Sequence, residues 1–379
     1  MKIGIVCYPT FGGSGVLATE LGIALADKEH EVHFITYQQP VRLINSFRPN
    51  IYFHEVTVPA YPLFDFPPYE SALISTIVSV VQNYDLDVLH VHYAIPHASS
   101  AYFAQQILKD SGKNLPYITT LHGTDITLVG KDKTYEPIVT FSLNKSTAIT
   151  AVSENLRLET LANFKIQNDV NVIYNFVDVH RFQKKERDHF KKMIAPNGER
   201  IITHVSNFRK VKRVDDVIKT FRLIHKEIPS KLIMIGDGPE RAEMEDQVKH
   251  CCDVHDVRFL GKQEQVEDIF SISDLFLLPS AYESFGLAAL EAMACQVPVI
   301  SSNAGGLPEI NIEGVTGYLS DVGNVEEMAQ KAISILKDDV ILAQFKERAF
   351  KHAHTFTIDK IVPQYESLYK KVIEEFNQN

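Results

Sequence analysis

The sequence "DLFLLPSAYESFGLAALE" occupies positions 274–291 and contains a strand pattern, a glycine and a helix pattern, in that order. Its first part is a short, continuous apolar run, which is typical of a strand buried on both faces of a parallel sheet. Glu283 and Glu291 flank Gly286. On one continuous helix they would lie about 80° apart around the axis and ~12 Å apart along it. We therefore predict a loop that carries Glu283 and a helix that begins near Gly286 and carries Glu291.

The same alternation of short β-branched runs with longer helical patterns extends through the whole chain. This pattern predicts an α/β fold with doubly wound parallel sheets and helices on both faces. A helix after residue 213 shows the matching apolar spacing, with a stripe that we expect to pack on a sheet. Strands are predicted at 2–7, 31–36, 87–92, 117–122 and 147–152 in the first half, and at 200–205, 231–236, 257–261, 274–279 and 297–301 in the second.

The length of 379 residues predicts two domains, because one hydrophobic core seldom grows so large. The polar stretch Lys184–Arg200 interrupts the strand and helix patterns and is interpreted as a linker. We assign residues 1–175 to the first domain, 176–199 to the linker and 200–356 to the second domain. A helix over 357–379, with Pro363 near its start, is expected to cross back to the first domain. Two Rossmann-like domains would then face each other across a cleft.

Composition narrows the class of partner. With 38 basic and 48 acidic residues the formal charge is −10, which argues against nucleic acid or an anionic membrane. The chain has no apolar run of 18 residues and no secretory pattern at its N-terminus, so a cytoplasmic protein is expected. Four cysteines follow neither a disulfide framework nor a zinc-site spacing.

The end of the first strand carries a glycine-rich turn that opens a helix. Such a turn lets the backbone approach a ligand and offers unpaired N–H groups to an anion. Gly13, Gly15 and Ala18 fit the pattern G-x-G-x-x-A of a dinucleotide site, so a nicotinamide-dependent oxidoreductase is one alternative. That site would also need an acidic residue after the second strand, where Tyr37 and Gln38 stand instead.

Polar residues also follow the later strands of the first half. His90 and His92 lie on one strand face without further ligands at fixed spacing, so we interpret them as buried, hydrogen-bonded histidines. Asp85 and Asp87 precede that strand, at the end of the sheet away from the expected cleft, and are interpreted as capping residues. His122 comes directly after a strand and before a glycine, where its side chain is expected to face the cleft.

The second half supplies cations and more glycine-rich turns. Arg209 and Lys212 lie in a basic turn after the strand at 200–205, and Gly236 opens "GDGPE" after the next strand. In open α/β sheets, ligands bind at the carboxyl ends of the strands. Cations suit phosphates, whereas carboxylates such as Glu283 and Glu291 accept hydrogen bonds from hydroxyl groups. The combination favours a nucleoside diphosphate that carries a sugar.

Together, these motifs resemble those of retaining glycosyltransferases with the GT-B fold, whose signature is two glutamates separated by seven residues, as in glycosyltransferase family 4. The resemblance covers nearly the whole chain and rests on the glycine-rich first turn, "LHGTD", the basic turn, "GDGPE" and "ESFGLAALE". It implies that Glu283 contacts the donor sugar and Glu291 the ribose, with His122 beside the sugar. Lys212 and Arg209 would hold the diphosphate, although relatives commonly have the arginine where this chain has Asn207. The other residues that it implies in donor binding are Gly13, Ser14, Gly236, Phe285, Gly286 and Leu287.

Within that family, the stretches "CYPTFGGSG", "HVHYAIPHA" and "SNFRKVKRVDDV" are most similar to members that transfer N-acetylglucosamine from UDP-GlcNAc to L-malate in bacillithiol biosynthesis. A small dicarboxylate would suit the helix start after Gly13, with Ser14, Tyr93 and Thr120 as hydroxyl donors. Arg42 and Arg157 are both candidates for the cation that such an acceptor needs.

The resemblance also bears on mechanism. No second carboxylate stands out as a nucleophile, so we expect front-face substitution in which the departing diphosphate takes the acceptor proton. Catalysis would rest on positioning and on charge stabilisation by Arg209 and Lys212, with no metal and no cofactor. The sequence leaves a homo-oligomer open. It also leaves open another acceptor, such as a lipid-linked sugar, a polysaccharide or an inositol phosphate, and a protein that binds the sugar nucleotide without turnover.

Overall fold

The computed structural model describes residues 1–10, 12–44, 46–58, 66–128, 132–251 and 255–378. Internal contacts divide the chain into two units: unit 1 comprises Met1–Asn175 and Ile358–Asn379, and unit 2 comprises Phe176–Thr357. The residues assigned from the sequence to a linker, 176–199, belong to unit 2. They include a helix, Asp188–Ile194, whose Lys191 pairs with Asp274 at 3.3 Å. A short, charged surface helix has the composition of a linker, but its ion pairs and the packing of Ile194 against core residues such as Ile201 join it to unit 2.

Unit 1 contains a parallel sheet that follows the predicted pattern. Its strands, in chain order, are β1 Lys2–Val6, β2 Glu31–Thr36, β3 Ile51–Glu55, β4 Val88–His92, β5 Tyr117–Leu121, β6 Ala148–Ala151 and β7 Val170–Val172. In the described part of unit 1 the strand order is β3-β2-β1-β4-β5-β6-β7, with every pair parallel. The direction of winding reverses between β1 and β4. Its helices are α1 Gly13–Asp27, α2 Tyr69–Tyr84, α3 Ser99–Asp110, α4 Glu136–Lys145, α5 Glu154–Asn163 and, from the end of the chain, α14 Ile358–Gln378.

The last helix returns to unit 1, as the sequence predicts. Tyr365 and Tyr369 on α14 are buried, and the Tyr369 hydroxyl lies 2.7 Å from His90 Nδ1 on the central strand β4. Near the surface, Glu366 accepts hydrogen bonds from Lys28 at 2.7 Å and pairs with His30 at 2.9 Å. These contacts join the C-terminal helix to the core strand and to the end of α1.

Unit 2 repeats the arrangement with a sheet of its own. Its strands are β8 Arg200–Val205, β9 Ser230–Ile235, β10 Val257–Gly261, β11 Leu275–Leu278, β12 Val299–Ser302 and β13 Gly317–Ser320, and in the described residues their order is β10-β9-β8-β11-β12-β13. The winding reverses between β8 and β11. Its helices are α6 Asp188–Ile194, α7 Val214–Glu227, α8 Arg241–Cys251, α9 Val266–Ile272, α10 Leu287–Ala294, α11 Leu307–Ile310, α12 Val325–Leu336 and α13 Asp339–Ala353.

The apolar stripe predicted on the helix after residue 213 faces the core of unit 2. Its five members are at most 1% exposed and pack with β9 and β11 residues such as Leu232 and Leu277. Helix α7 is held to the sheet by this burial, since a fully buried aliphatic side chain contributes about 1.5–3 kcal/mol. The stripe comprises Val214, Val217, Ile218, Phe221 and Ile224.

Three strands, β3, β7 and β13, were not predicted. Each lies at an edge of its sheet and is three to five residues long, and each is only partly buried. Edge strands have one neighbour and need no continuous apolar run, so their sequences carry little signal. No helix in the described part of the chain is long and apolar enough to cross a membrane.

Candidate functional site

The loops that follow β8 and β11 meet in unit 2 at the point where the winding of the sheet reverses. Ligands of open α/β sheets bind at such a switch point, because adjacent loops diverge there and leave a crevice. The Ala281 amide donates to the Val211 carbonyl at 2.8 Å and joins the two loops through their backbones. The residues of both loops therefore form one cluster, which we call the switch-point cluster: Ser206 to Arg213 and Ser280 to Gly286.

Lys212 and Glu283 are bonded side chain to side chain at the centre of the switch-point cluster. Lys212 Nζ donates to Glu283 Oε1 at 2.6 Å, and the Ser280 hydroxyl donates to the same oxygen at 2.8 Å. Their side chains are 19% and 14% exposed, so the pair is partly shielded from water yet open to a ligand. The structure thus places a cation and a carboxylate, two of the predicted site residues, in direct contact.

The backbone around Glu283 is fixed by close packing against two glycines. Gly305 has φ +61°, and a Cβ atom there would lie 2.0 Å from the Glu283 carbonyl oxygen. The Gly306 amide donates to that same carbonyl at 2.8 Å. Any larger residue at Gly305 would push the loop that carries Glu283 out of place.

Helix α10 begins after Gly286, in agreement with the prediction from the glycine between the two glutamates. Gly286 is the N-cap residue, with φ +98°, a conformation that L side chains rarely adopt. Phe285 is buried and packs edge-on against Phe356, with ring centroids 5.9 Å apart. The first turn, from Leu287, offers backbone N–H groups as helix N-termini do. Glu291 is the fifth residue of α10 and is half-buried.

The remaining predicted residues of unit 2 lie around the loop after β8. Asn207 and Arg209 are exposed in that loop. Gly236, at the end of β9, has φ +123°, and a Cβ atom there would meet the Ser206 carbonyl oxygen at 1.7 Å. The glycine therefore allows the loop after β9 to pack against the loop that carries Asn207 and Arg209.

Sequence reasoning missed two polar residues beneath the pair, Ser280 and His204. His204 Nδ1–H donates to the Leu277 carbonyl at 2.8 Å, and its Nε2 accepts from the Ser206 hydroxyl at 2.8 Å. Burial lowers the pKa of His204 to about 4, so the ring is neutral at pH 7. The alternation of "RIITHV" predicts which face His204 lies on but not its partners, since Leu277 lies on a strand about 70 residues later and Ser206 in the loop that follows β8.

In unit 1, Ser14 and Tyr93 come together at the start of α1. Ser14 Oγ and Tyr93 Oη are 2.5 Å apart. Tyr93 has φ +87°, and its amide donates to the Thr120 carbonyl at 2.9 Å, which ties the loop after β4 to strand β5. A Cβ atom at Gly13 would meet nothing within 4 Å, so the backbone of this helix start is open on that side. Two predicted hydroxyl donors and an open helix N-terminus therefore lie together.

The third predicted hydroxyl donor, Thr120, points into the core of unit 1. It is 1% exposed, and its hydroxyl is bonded to His90 Nε2 and to the Thr150 hydroxyl, each at 2.6 Å. His90 in turn meets Tyr369, and burial lowers its pKa to about 3. As predicted, His90 and His92 are buried histidines with stacked rings, whose centroids are 4.4 Å apart.

His122 lies next to these rings and is 9% exposed. Its Nε2 is 2.8 Å from His92 Nδ1. Burial lowers the pKa of His122 to about 3. Close by, Asp125 accepts from the amides of Ala94 and Gly123 at 2.9 and 3.1 Å, and burial raises its pKa to about 6. Asp125 thus connects the loops after β4 and β5.

The two candidate arginines lie on different elements. Arg42, in a 3-10 turn that contacts α1, pairs with Glu20 on α1 at 3.6 Å. Arg157 is bound by Glu154 on α5 through two hydrogen bonds, at 2.5 and 2.8 Å. In the ranges that the structure covers, neither guanidinium bonds to Ser14 or Tyr93.

Of the Asp-x-Asp pair, only Asp85 has the predicted capping position, whereas Asp87 bonds to the first strand. Asp85 is the left-handed C-cap residue of α2, and Asp87 accepts from the Lys2 amide at 2.7 Å. In the described part of the chain, no group of three His, Cys, Asp or Glu side chains is placed to hold a metal ion.

Comparisons with known proteins agree with this architecture. Residues 11–181 match the family described as Glycosyltransferase Family 4, and residues 185–352 match Glycosyl transferases group 1. The N-acetyl-alpha-D-glucosaminyl L-malate synthase of Bacillus anthracis is 47% identical over 377 residues, which cover 99% of this chain and 98% of that protein. An uncharacterized glycosyltransferase of Methanocaldococcus jannaschii is 25% identical over 97% of both chains.

Two solved structures share the fold at low identity. Anabaena HepE, in complex with UDP and glucose, superimposes with a TM-score of 0.82 at 19% identity over 98% of this chain and 99% of its own. Sucrose-phosphate synthase from Thermosynechococcus elongatus gives a TM-score of 0.82 at 20% identity, over 99% of both chains.

Three observations agree on the family of this chain. It folds into two Rossmann-like units, it carries the paired glutamates on α10 and the preceding loop, and it is 47% identical over 99% of its length to a member of that family. The chain is a glycosyltransferase and belongs to glycosyltransferase family 4.

Proposed function

We propose that this enzyme transfers N-acetylglucosamine from UDP-GlcNAc to the hydroxyl group of L-malate, with retention at the anomeric carbon, as the first step of bacillithiol biosynthesis. The observation that carries the proposal is the 47% identity, over 99% of the chain, to an N-acetyl-alpha-D-glucosaminyl L-malate synthase. Two further observations support it: the Lys212–Glu283 pair in unit 2, and the helix start with its hydroxyl groups in unit 1.

The spacing of Lys212 and Glu283 suits the reacting end of a sugar nucleotide. Their charged atoms are 2.6 Å apart, so groups bound to them must also be neighbours. In a nucleoside diphosphate sugar, the phosphate and the sugar hydroxyls lie on either side of one glycosidic oxygen. Lys212 would bind the phosphate, with the exposed Arg209 as a second cation, and Glu283 would accept from a sugar hydroxyl.

The first two turns of α10 suit the rest of the donor. The backbone N–H groups at Phe285, Gly286 and Leu287 would bind the diphosphate, because a helix N-terminus favours an anion. Glu291 lies four residues beyond Leu287, about 6 Å along the axis at 1.5 Å per residue. That is close to the distance between the diphosphate and the ribose of a nucleotide. The Glu291 carboxylate would accept hydrogen bonds from the ribose hydroxyl groups. The loops of Asn207 and Gly236, which pack on each other, would border the nucleotide.

Unit 1 would bind the acceptor. L-malate has two carboxylates and one hydroxyl, and the α1 start supplies N–H groups at Gly13 and hydroxyl groups at Ser14 and Tyr93. We propose Arg42 as its cation, because its 3-10 turn contacts α1 and its pairing with Glu20 is loose, at 3.6 Å, whereas Glu154 binds Arg157 through two hydrogen bonds. Thr120 would hold Tyr93 in place, because its backbone carbonyl accepts a hydrogen bond from the Tyr93 amide.

The proposed chemistry is a front-face substitution. The bond between the anomeric carbon and the UDP oxygen breaks, the malate hydroxyl oxygen bonds to that carbon, and the hydroxyl proton passes to the departing phosphate. Lys212 and Arg209 stabilise the charge that develops on UDP, and the bound geometry supplies the remaining acceleration. Glu283, already bonded to Lys212 and Ser280, binds substrate and is not the nucleophile.

The test measures release of UDP from UDP-GlcNAc with and without L-malate, in EDTA, and determines the anomeric configuration of the product by NMR. Malate-dependent release with an α-linked product supports the donor, the acceptor, retention and metal independence together. An enzyme that binds UDP-GlcNAc but ignores malate contradicts the acceptor assignment. A panel of inositol phosphate, oligosaccharide and lipid-linked acceptors then identifies the alternative.

A further inference from the structure

We infer that His92 is a positioning residue that holds His122 in one tautomer, with its proton on Nδ1, so that His122 offers a bound substrate a neutral hydrogen-bond donor and not a base. The role of His122 toward the ligand rests on the proposed function, whereas its tautomer does not. His92 lies in the strand that the sequence predicts to be core and has no part in the chemistry proposed above.

The contact itself requires a single proton. His92 Nδ1 and His122 Nε2 are 2.8 Å apart, a normal hydrogen-bond distance, so one nitrogen donates and the other accepts. Burial lowers the pKa of His122 to about 3 and that of His92 well below its usual value, so both rings are neutral at pH 7. A neutral imidazole carries one N–H, so the direction of this bond fixes the tautomers of both rings.

The far side of the His92 ring decides the direction. His92 is 2% exposed, and its Nε2 is buried with no hydrogen-bond partner among the described residues. If His122 donated, the proton of His92 would lie on that Nε2 as a buried, unpaired N–H, which proteins rarely tolerate. If His92 donates from Nδ1, its Nε2 is a bare nitrogen and no N–H is left unpaired in the core.

A neighbouring ring shows the same pattern without ambiguity. His97 Nδ1 lies 2.5 Å from the carbonyl oxygen of His92, and a carbonyl can only accept. His97 therefore has its proton on Nδ1, and its buried, unpartnered Nε2 is bare. The pocket around these rings thus accommodates a bare Nε2 at His97, as we infer at His92.

The direction of this bond also fixes the tautomer of His122. Its Nε2 accepts from His92, so its own proton lies on Nδ1. His122 as a residue is 9% exposed, and no hydrogen bond from its Nδ1 to any described residue is present. His122 therefore presents one N–H donor and no basic nitrogen, which agrees with a reaction in which the departing phosphate takes the acceptor proton.

The experiment uses the full-length enzyme labelled with ¹⁵N-histidine. Long-range ¹H–¹⁵N NMR of the ligand-free protein reports the tautomer, and His122→Gln identifies the signals. We expect a protonated Nδ1 and a bare Nε2 for His122. A protonated Nε2 would overturn the inference. If the expected tautomer is observed but malate is not glycosylated, the acceptor proposal fails and this inference stands.

Substitutions at His92 test the positioning role. The side-chain amide N–H of Asn can replace the Nδ1–H donor of histidine, so His92→Asn should keep kcat within about threefold of wild type. His92→Leu should lower kcat by about tenfold or more, the effect of one lost hydrogen bond. His33→Asn is the matched control, since His33 is equally buried in unit 1 but bonds to Glu31 and His54. Equal losses in His92→Asn and His92→Leu would show a packing role only. If His92→Leu does not fold, the NMR result on the wild-type protein still decides.

Discussion

Replacing Lys212 by Met removes the charge at the centre of the switch-point cluster and nearly preserves the length of the side chain. Lys212 Nζ lies 2.6 Å from Glu283 Oε1, and the two side chains are 19% and 14% exposed. The Coulomb energy at this distance is about 6 kcal/mol with an effective dielectric constant of 20, and desolvation offsets much of it. In Lys212→Met, Glu283 keeps its bond from Ser280. We therefore expect the free energy of unfolding to fall by only about 1–3 kcal/mol, the range for a hydrogen bond to a charged group.

The expected effect on the reaction is larger and lies in the chemical step. If Lys212 stabilises the departing diphosphate, its loss should lower kcat by about 10²–10³, the effect of removing one oxyanion donor, with a smaller change in the donor KM. Steady-state rates of UDP release with UDP-GlcNAc and L-malate measure both parameters. Lys210→Met is the matched control, because Lys210 lies in the same 3-10 turn and is exposed, and it should leave kcat nearly unchanged.

A double variant separates charge stabilisation from support of Glu283. Lys212→Met with Glu283→Gln removes both charges, so most of the lost stability should return, while kcat should fall about 10²–10³ below that of Glu283→Gln alone, because Lys212 acts on the diphosphate independently of Glu283. A double variant with the same kcat as Glu283→Gln alone would show that Lys212 acts only by holding Glu283. A kcat that Lys212→Met leaves unchanged would refute the proposed role in the reaction.

Three further predictions concern the donor glutamate, a glycine and a histidine of unit 2. Glu291→Ala should raise the donor KM with little change in kcat, because ribose binding is the same in the ground and transition states; equal changes in both parameters would contradict this division. Gly305→Ala should destabilise the protein and weaken UDP-GlcNAc binding in calorimetry, because its Cβ would lie 2.0 Å from the Glu283 carbonyl oxygen. Gly314→Ala is the control, since Gly314 also has a positive φ but lies in open space, and it should lower stability alone, by about 1–3 kcal/mol. The two variants should differ in ligand affinity, and equal affinities would disprove the role of this packing. Burial lowers the pKa of His204 to about 4, below its unfolded value, so its contribution to stability is full above pH 6.5 and is lost as pH falls toward 4. Urea unfolding should show that His204→Asn, which keeps the bond to Leu277, reduces the loss of stability between pH 7 and pH 5 by about 2 kcal/mol, and an unchanged pH dependence would refute this.

The local sequence predicted the parts of the fold that depend on burial within one element. Central strands such as β9 and β11 are covered on both faces, so their apolar runs are unbroken, and the stripe on α7 repeats with the helical period. Gly286 marked the start of α10, because only glycine adopts its backbone conformation easily. The edge strands β3, β7 and β13 escaped prediction, since an edge strand is half exposed and needs no such pattern.

Tertiary structure decided which of the predicted site residues touch one another. Lys212 and Glu283 are 71 positions apart, and Ser14 and Tyr93 are 79 apart, yet both pairs are hydrogen-bonded. These contacts depend on strand order, because the loops after β8 and β11, and those after β1 and β4, become neighbours only when the sheets are wound. The orientation of Thr120 into the core, the roles of Ser280 and His204, and the bond between His92 and His122 arise in the same way. Residue types and their order carry the burial pattern, whereas hydrogen-bond partners distant in sequence are set only by the packing of whole elements.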